Sequence, residues 1–535
     1  MAVRRLKFWG WGYADEAVDE GEVAAVVAHV AGRLGAGDLT PEPAPRLEDI
    51  VLRPPRLTPP ESLAALCSIE PFDRVNHSYG KSYRDYVRTL NGDFPHPPDV
   101  VAFPRDEADI VDLLDWAGRH DAAVIPFGGG SGVVGGVEAA VGEGYGGVVT
   151  IDLRGLDKVL EVDQTSRAAR IQAGAMGPGL ERQLKAHGRT LRHFPQSFEF
   201  STLGGWIATR AGGHFASLYT HIDDFVESLR VVTPAGSLES FRLPGSGAGP
   251  SPDRMFIGSE GALGIITEAW MRIQDPPVHR ASVGVLFDRF ADAAEAVRAI
   301  AQAGLYPSNC RLIDANEAAM SRAGDGSAHL VVLAFESSDH PIDAWMARAL
   351  ECARDHGGRS DQPKGQSGSD HRAGAAGAWR SAFMRMPYYR SALISRGLIQ
   401  DTFETAITWD RFAGFHQQVM DAARDAVRRV TGHEGSVTCR FTHIYPDGPA
   451  PYFTFHGIGR KDALASQWHE IKAAALETVN KLGGTVTHHH AIGREHRPWY
   501  DRQRPDLFAA ALAGAKRKLD PAGLLNPGVL LDPPR

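Results

Sequence analysis

The chain has 535 residues, 43% hydrophobic and 23% charged, with a formal net charge of -8. That length suggests three or four folding units, and the composition is that of an ordinary globular protein. The acidic balance excludes a general nucleic-acid binder, which would show a basic face, so no nucleic-acid partner is expected.

Four cysteines, Cys67, Cys310, Cys352 and Cys439, lie too far apart for a CxxC pair. Neither a disulfide framework nor a cysteine-rich zinc site is expected, and a reducing compartment fits. No apolar run reaches about 18 residues, the length that spans a membrane. The opening "MAVRRLKFWGWGYADE" lacks the apolar core and cleavage site of a secretory signal. A cytoplasmic protein is the expectation. Arg4, Arg5 and Lys7 beside Phe8, Trp9 and Trp11 suit either a peripheral membrane contact or an aromatic arm packed on the body, and the arm is the expectation.

Residues 1–95 read as an extension wrapped on a larger core, irregular and Pro-rich around 41–60, with short helices. "DEADIVDLLDWAGRH" then spaces Ile110, Leu113, Leu114 and Ala117 along one helical face, with Asp106 as N-cap. "DAAVIPF" reads as a buried strand running straight into "GGGSGVVGG". Further strands are "GGVVTIDL", "AARIQAGA", "ESLRVVTPAGSLES" with a Pro-Ala-Gly turn, and "GIITEAWMRI", where Ala269, Met271 and Ile273 alternate. Residues 96–275 thus predict a mixed α+β domain.

Beyond it, strand-then-helix units recur. "ASVGVLF" precedes a helix over 290–303, "AHLVVLAFE" precedes "PIDAWMARALECARDHGG", and "APYFTFHGIG" precedes "DALASQWHEIKAAALETVNKLGG". This predicts, over 276–500, an antiparallel sheet with helices on one side, of ferredoxin-like kind. "RSDQPKGQSGSDHRAGAAG" (359–377) reads as a mobile loop. The tail 501–535 ends in "KRKLDPAGLLNPGVLL", a helix end followed by a Pro/Gly turn that returns to the first domain.

"GSGVVG" (130–135) matches the dinucleotide fingerprint, with Asp152 about twenty residues on. Its context fails, because such a loop must open a helix and "GVEAAVGEGYGG" is too Gly-broken to be one. No GxxxxGK[ST] occurs. Gly128, Gly129, Gly130, Gly132, Gly135 and Gly136 still allow close backbone approach, so consecutive N–H groups can form a concave anion site. "PQSFEFSTLGGWIATRAGG" (195–213), "VESLRVVTPAGS" (226–237) and "FIGSEGALGIITEAWMRI" (256–273) follow in order.

These four linked segments resemble the FAD-binding (PCMH-type) domain of the vanillyl-alcohol-oxidase family. The resemblance implies a flavin between two α+β subdomains. FAD would be bound by Pro126, Phe127, Gly128, Gly129, Gly130, Ser131 and Gly132, by Gln196, Ser197, Phe198, Glu199, Phe200, Ser201 and Thr202, by Thr209, Arg210, Ala211 and Gly212, and by Glu260, Gly261, Ala262, Leu263, Gly264, Ile265 and Ile266. No histidine stands in the first loop, so the expected FAD is non-covalent.

Within that family the likeness is to the alkyldihydroxyacetonephosphate (alkylglycerone-phosphate) synthases. It is carried by "KFWGWGYADE", "RVNHSYGKSYRD", "CRLIDANEA", "YYRS", "DTFETAITWD", "PYFTF" and the triplet in "GTVTHHHAIG". It implies a redox-neutral exchange of the acyl chain of acyl-dihydroxyacetone phosphate for a fatty alcohol in ether-lipid synthesis. A C1 proton is removed and flavin N5 takes part. The partner would be an amphiphilic lipid substrate, on a homodimer with peripheral membrane contact.

His488, His489 and His490 would handle the proton, with His489 as base. No metal is expected, since consecutive side chains of an extended segment alternate faces. Tyr452 would be the acid/base at the leaving carboxylate, although alternation alone makes it a core tyrosine. Arg390 would grip the phosphate, unless it is a surface ion pair. Arg311 would lie by the flavin, or be structural. Departures from the family pattern are Ala491 for glycine, Ser391 for aspartate and Gln196 for aspartate. The alternatives are an FAD-linked oxidase or dehydrogenase of a 2-hydroxyacid or alcohol, and a catalytically silent flavoprotein.

Overall fold

The computed structural model describes residues 4–35, 39–219, 221–360 and 374–533. Among them the strands form three sheets. β1 (Cys67–Ser68), β2 (Val100–Ala102), β3 (Ala122–Phe127) and β4 (Gly147–Asp152) make the first, in the order β1-β2-β4-β3, with β2 and β3 each parallel to β4. β3 and β4 are buried almost throughout, which is why they read as continuous apolar runs. The helix Glu107–Arg119 packs on them through Ile110, Leu113, Leu114 and Ala117, and the Asp106 carboxylate accepts the Asp109 N–H as its cap.

β5 (Val159–Asp163), β6 (Ala168–Gln172), β7 (Val226–Thr233), β8 (Gly236–Glu239) and β9 (Ile265–Arg272) form an antiparallel sheet, ordered β5-β6-β9-β7-β8. The chain end returns to the first sheet. The Val124 N–H donates to the Leu524 carbonyl, and the Asn526 N–H to that of Val124. Lys516, 2% exposed, donates to the carbonyls of Ala262 and Leu525 and pairs with Asp520 at 2.7 Å. The N-terminal aromatics form an arm on the body, with Trp9 edge-on to Tyr86 at 5.6 Å and Trp11 to Phe200 at 5.5 Å.

The third sheet holds β10 (His279–Phe287), β11 (Asn309–Ile313), β12 (His329–Ser337), β13 (Arg359–Ser360), β14 (Leu398–Glu404), β15 (Ser436–Ile444) and β16 (Pro449–Ile458). Its order, β13-β10-β12-β11-β15-β16-β14, resolves into two units. The first four strands, with helices Phe290–Gln302 and Asp343–Asp355, give the βαββαβ connectivity of a ferredoxin-like unit. β14, β15 and β16, with helices Trp409–Thr431 and Leu464–Lys481, repeat it without a fourth strand. The two meet edge to edge where Ile313 pairs with Arg440.

Strands β11, β14 and β15 and the helices Gly374–Ile394 and Trp409–Thr431 add to the elements expected from the sequence. Their strand signal is weak because polar residues alternate into the interior: Arg311 on β11, Gln400 and Thr402 on β14, and Thr438, Arg440 and Thr442 on β15. The opposite faces are apolar, with Ile399, Phe403, Val437, Cys439, Phe441, Phe453 and Phe455 buried in one core with Phe415, Val419, Trp468 and Ile471 of the covering helices. Of the expected loop 359–377, residues 361–373 lie outside the described residues. Its start is β13, and its end belongs to the helix Gly374–Ile394.

Candidate active site

A cavity of about 630 Å³ lies between the first domain's loops and the polar face of the third sheet. That volume is in the range that takes cofactors and their substrates. On the first-domain side the strand β3 delivers the glycine loop. The backbone turns at Gly130 with φ +63°, and a Cβ at Gly129 would stand 1.8 Å from the Phe200 carbonyl oxygen. Only glycine allows this loop to lie flat on residues 200–202. Residues 128–146 form no helix.

Pro126, Phe127, Gly128, Gly129, Gly130, Ser131 and Gly132 line the cavity, as do Gln196, Ser197, Ser201, Thr202, Thr209, Ala211, Gly212, Glu260, Gly261, Gly264, Ile265 and Ile266. Others from the same motifs are engaged elsewhere. Phe198 stacks on Trp206, Glu199 accepts from the Tyr388 hydroxyl, and Phe200 packs under Trp11 and Tyr13. Arg210 pairs with Asp223 at 2.7 Å, the Ala262 carbonyl accepts from Lys516, and Leu263 is in the core. Gln196 donates to the Phe383 carbonyl. Glu260 accepts the N–H groups of Ile492 and Gly493, both at 2.8 Å. Burial pushes its carboxyl up to about 7 against those two bonds.

On the second-domain side, period-two alternation sends Tyr452, Thr454 and His456 of β16 to the cavity. Tyr452 is 5% exposed, its hydroxyl donates to Thr402 Oγ1 at 3.0 Å, and Arg440 lies 3.7 Å over its ring. Burial raises its pKa, and the Arg440 charge opposes that. Three arginines border this wall with different partners. Arg440 Nη1 holds Glu317 at 2.5 Å, and Arg390 Nη2 holds Asp401 at 2.6 Å. Among the described residues Arg311 has no carboxylate bonded to it and its Nε and Nη1 are buried without a hydrogen-bond partner; it lies against Trp379 and Phe383. Burial, with the Arg440 charge beside it, pushes the Arg311 pKa down to about 9.

His489 and His490 line the cavity; His488 lies behind them. Their backbone is fixed by Glu404 at the end of β14. That buried carboxylate accepts the N–H of His488 at 2.6 Å, of His489 at 3.1 Å and of His490 at 3.0 Å, together with the Thr487 hydroxyl. Burial works against its charge, yet the surrounding histidines and the Thr487 hydroxyl hold it far below the ordinary carboxylate range. Burial pushes His489 down to about 3 and His490 to about 4, so both rings are neutral bases near pH 7.

His443, His488 and His489 bring ring nitrogens within 4.8 Å of one another, a spacing that suits a metal ion. Both nitrogens of His443 are taken, by the Gly213 carbonyl and Thr442 Oγ1, and the cluster is a hydrogen-bonded one. The sequence reading singled out neither His443 nor Arg440, Asp401 and Glu404. Asp401 and Glu404 sit in the quoted "DTFETAITWD", but only the fold shows what they hold.

The cavity's glycine wall and unpaired arginine fit an anionic cofactor. Residues 98–242 match the FAD binding domain family model, and residues 276–530 match that of FAD linked oxidases, C-terminal domain. The chain is therefore a two-domain, FAD-dependent enzyme of the FAD-linked oxidase type. It is 29% identical to the alkyldihydroxyacetonephosphate synthase of Trypanosoma brucei brucei, over 100% of this chain and 93% of that protein. It is 30% identical to that of Dictyostelium discoideum, over 91% of this chain and 83% of the other. A solved alkyldihydroxyacetonephosphate synthase superposes with a TM-score of 0.81 at 26% identity, covering 98% of this chain and 97% of that one. The chain belongs to the alkyldihydroxyacetonephosphate synthase family.

Two predictions concern the scaffold. Asp401 is buried with Lys472 at 3.1 Å and Arg390, whose charges overcome burial and hold its pKa at about 2, below its ordinary 3.8. A depressed carboxyl stabilises the fold above its unfolded pKa, and that contribution fades as pH falls toward 2. Asp401→Asn should therefore flatten the loss of stability between about pH 4 and 2, and cost about 3 kcal/mol at pH 7 by taking the carboxylate from buried Arg390 and leaving Lys472 with Glu495 at 3.5 Å; urea unfolding across pH tests both. Ala491 has φ +72°, left-handed backbone that disfavours a Cβ. Ala491→Gly should stabilise the protein by about 1 kcal/mol in the same assay.

Proposed function

We propose that this chain exchanges the acyl chain of acyl-dihydroxyacetone phosphate for a long-chain alcohol. The carrying observation is a single cavity whose lining joins the buried Arg311, His489, His490 and Tyr452 to the apolar side chains of Val26, Val30, Met320 and Met386.

Each end of such a substrate finds a partner. Arg311 and Arg390 supply positive charge for the phosphate, and Arg311 gains the anion it lacks in the protein alone. The chain lies along those apolar side chains, where its removal from water contributes about 0.8 kcal/mol per CH₂. His489, which lines the cavity, takes the C1 proton, with the Glu404 carboxylate 3.4 Å from its Nδ1 to stabilise the imidazolium that forms. Tyr452, aligned by Thr402 and Arg440, serves the departing carboxylate oxygen. FAD, which the glycine-loop residues 128–132 would hold, would supply an electron-accepting ring. One C–O bond breaks and another forms, so no outside electron acceptor is required.

The decisive test is anaerobic absorption spectroscopy with acyl-dihydroxyacetone phosphate, with and without fatty alcohol, alongside product analysis. Alkyl product and free fatty acid with the flavin still oxidised at the end are expected. Bleaching by a 2-hydroxyacid, with no alkyl product, would instead make the chain a dehydrogenase. Arg311→Met should raise KM for the phosphorylated substrate roughly 10- to 100-fold, the loss expected when a buried ionic contact is cut. A KM unchanged in that variant would remove Arg311 from the phosphate site.

A further inference from the structure

The histidine cluster continues away from the cavity through two side chains that the chemistry above leaves unused. His489 Nδ1 meets His488 Nδ1 at 3.0 Å. His488 Nε2 lies 2.7 Å from the Tyr445 hydroxyl, and that hydroxyl also meets His221 Nε2. Two opposite proton arrangements satisfy all three links, and the Glu404 carboxylate, 3.4 Å from His489 Nδ1, favours the one that keeps a proton on that nitrogen. His489 donates from Nδ1 to His488 Nδ1, His488 donates from Nε2 to Tyr445, and Tyr445 donates to His221. It leaves His489 Nε2 bare, as a base requires.

The surroundings keep this row in place. Glu404 fixes the backbone of both triplet members and lies 3.4 Å from His489 Nδ1, where its charge favours an imidazolium. The His443 ring packs 5.0 Å from that of His488 and stands beside the row, its nitrogens already engaged. At the far end His221 is partly exposed and caps the short helix Ile222–Phe225, whose Asp224 faces solvent.

We infer that His489, His488, Tyr445 and His221 form a proton relay from the cavity to the surface, with Tyr445 and His221 acting through His489. The need is physical: an imidazolium formed at His489 is enclosed, and burial penalises its charge until the proton leaves. The transfer balances. A substrate proton reaches Nε2 of His489, whose Nδ1 proton passes to Nδ1 of His488. The Nε2 proton of His488 passes to the Tyr445 oxygen, and the hydroxyl proton passes to His221 Nε2 and on to water. No electrons move, and the reverse sequence returns a proton.

The inference rests on the function proposed above, and its test separates the two. FAD-loaded protein is incubated with acyl-dihydroxyacetone phosphate in D₂O, and C1 hydrogen exchange is followed by mass spectrometry together with turnover. Tyr445→Phe deletes one oxygen, and His221→Ala leaves space that added imidazole can refill. Both variants should exchange at least about tenfold more slowly, a modest part of what general acid–base groups contribute, with KM and flavin spectrum unchanged. Imidazole should restore His221→Ala but not Tyr445→Phe.

Wild-type exchange in both variants would overturn the relay. So would loss of wild-type activity with a chelator, which would assign these histidines to a cation. If the wild-type protein neither exchanges C1 hydrogen nor turns over, the proposed function fails and histidine ¹⁵N spectra decide the relay. Tyr445→Phe must then shift the ring nitrogens of His488 and His489, and unmoved resonances overturn it.

Discussion

The site depends on a bent segment, residues 487–493, held by two buried carboxylates from opposite sides. Glu404, at the end of β14 in the second domain, takes the N–H groups of His488, His489 and His490. Glu260, on a first-domain loop, takes those of Ile492 and Gly493. A carboxylate accepts several N–H bonds at once, and such charge-assisted bonds are among the stronger ones in a protein. The same five backbone groups therefore place the histidines and tie the domain bearing the glycine loop to the domain bearing Tyr452. The Glu260 clamp forms only when both domains are folded.

The second domain makes its half of the cavity by giving one sheet two faces. Side chains alternate along β14, β15 and β16, so Phe403, Phe441, Phe453 and Phe455 go to the helices. Thr402, Arg440, Tyr452 and Thr454 go to the cavity. A one-residue slip in any pairing would exchange these sets, burying arginine under the helices and opening phenylalanines to the site. The register Arg440–Tyr452 and Glu404–Tyr452 is thus a condition of the chemistry as well as of the core.

Charge is distributed with the same economy. Arg440 and Arg390 each meet a buried carboxylate, and Asp401 also takes Lys472 and the Trp468 indole N–H. Arg311 has aromatic rings where the others have carboxylates. A buried cation left that way is destabilising for the protein alone and favours whatever anion enters. Pairing two arginines and leaving the third against aromatic rings puts one uncompensated positive charge on the cavity wall.

Much of the first domain was legible in the chain, because β3 and β4 are apolar on both faces and the glycine loop that β3 leads into must sit on residues 200–202. The triplet, Tyr452, Arg311 and Arg390 were recognisable as motifs, and Ala491 stood out before its positive φ gave that substitution a cost. The strands β11, β14 and β15 were not legible, since the polar residues that face the cavity interrupt the apolar pattern that marks a strand. Glu404, Asp401, Arg440 and His443 were equally hidden, for their meaning lies in partners dozens to hundreds of residues away. Local periodicity and glycine placement marked the first domain's apolar strands and a concave anion site, and the resemblance of four linked motifs supplied the cofactor. Which carboxylate holds which backbone, which arginine stays unpaired, and which nitrogen meets which hydroxyl were decided only by the packed structure. Those are distances of about 3 Å between chain-distant groups, within the range where a hydrogen bond forms, and local sequence does not encode them.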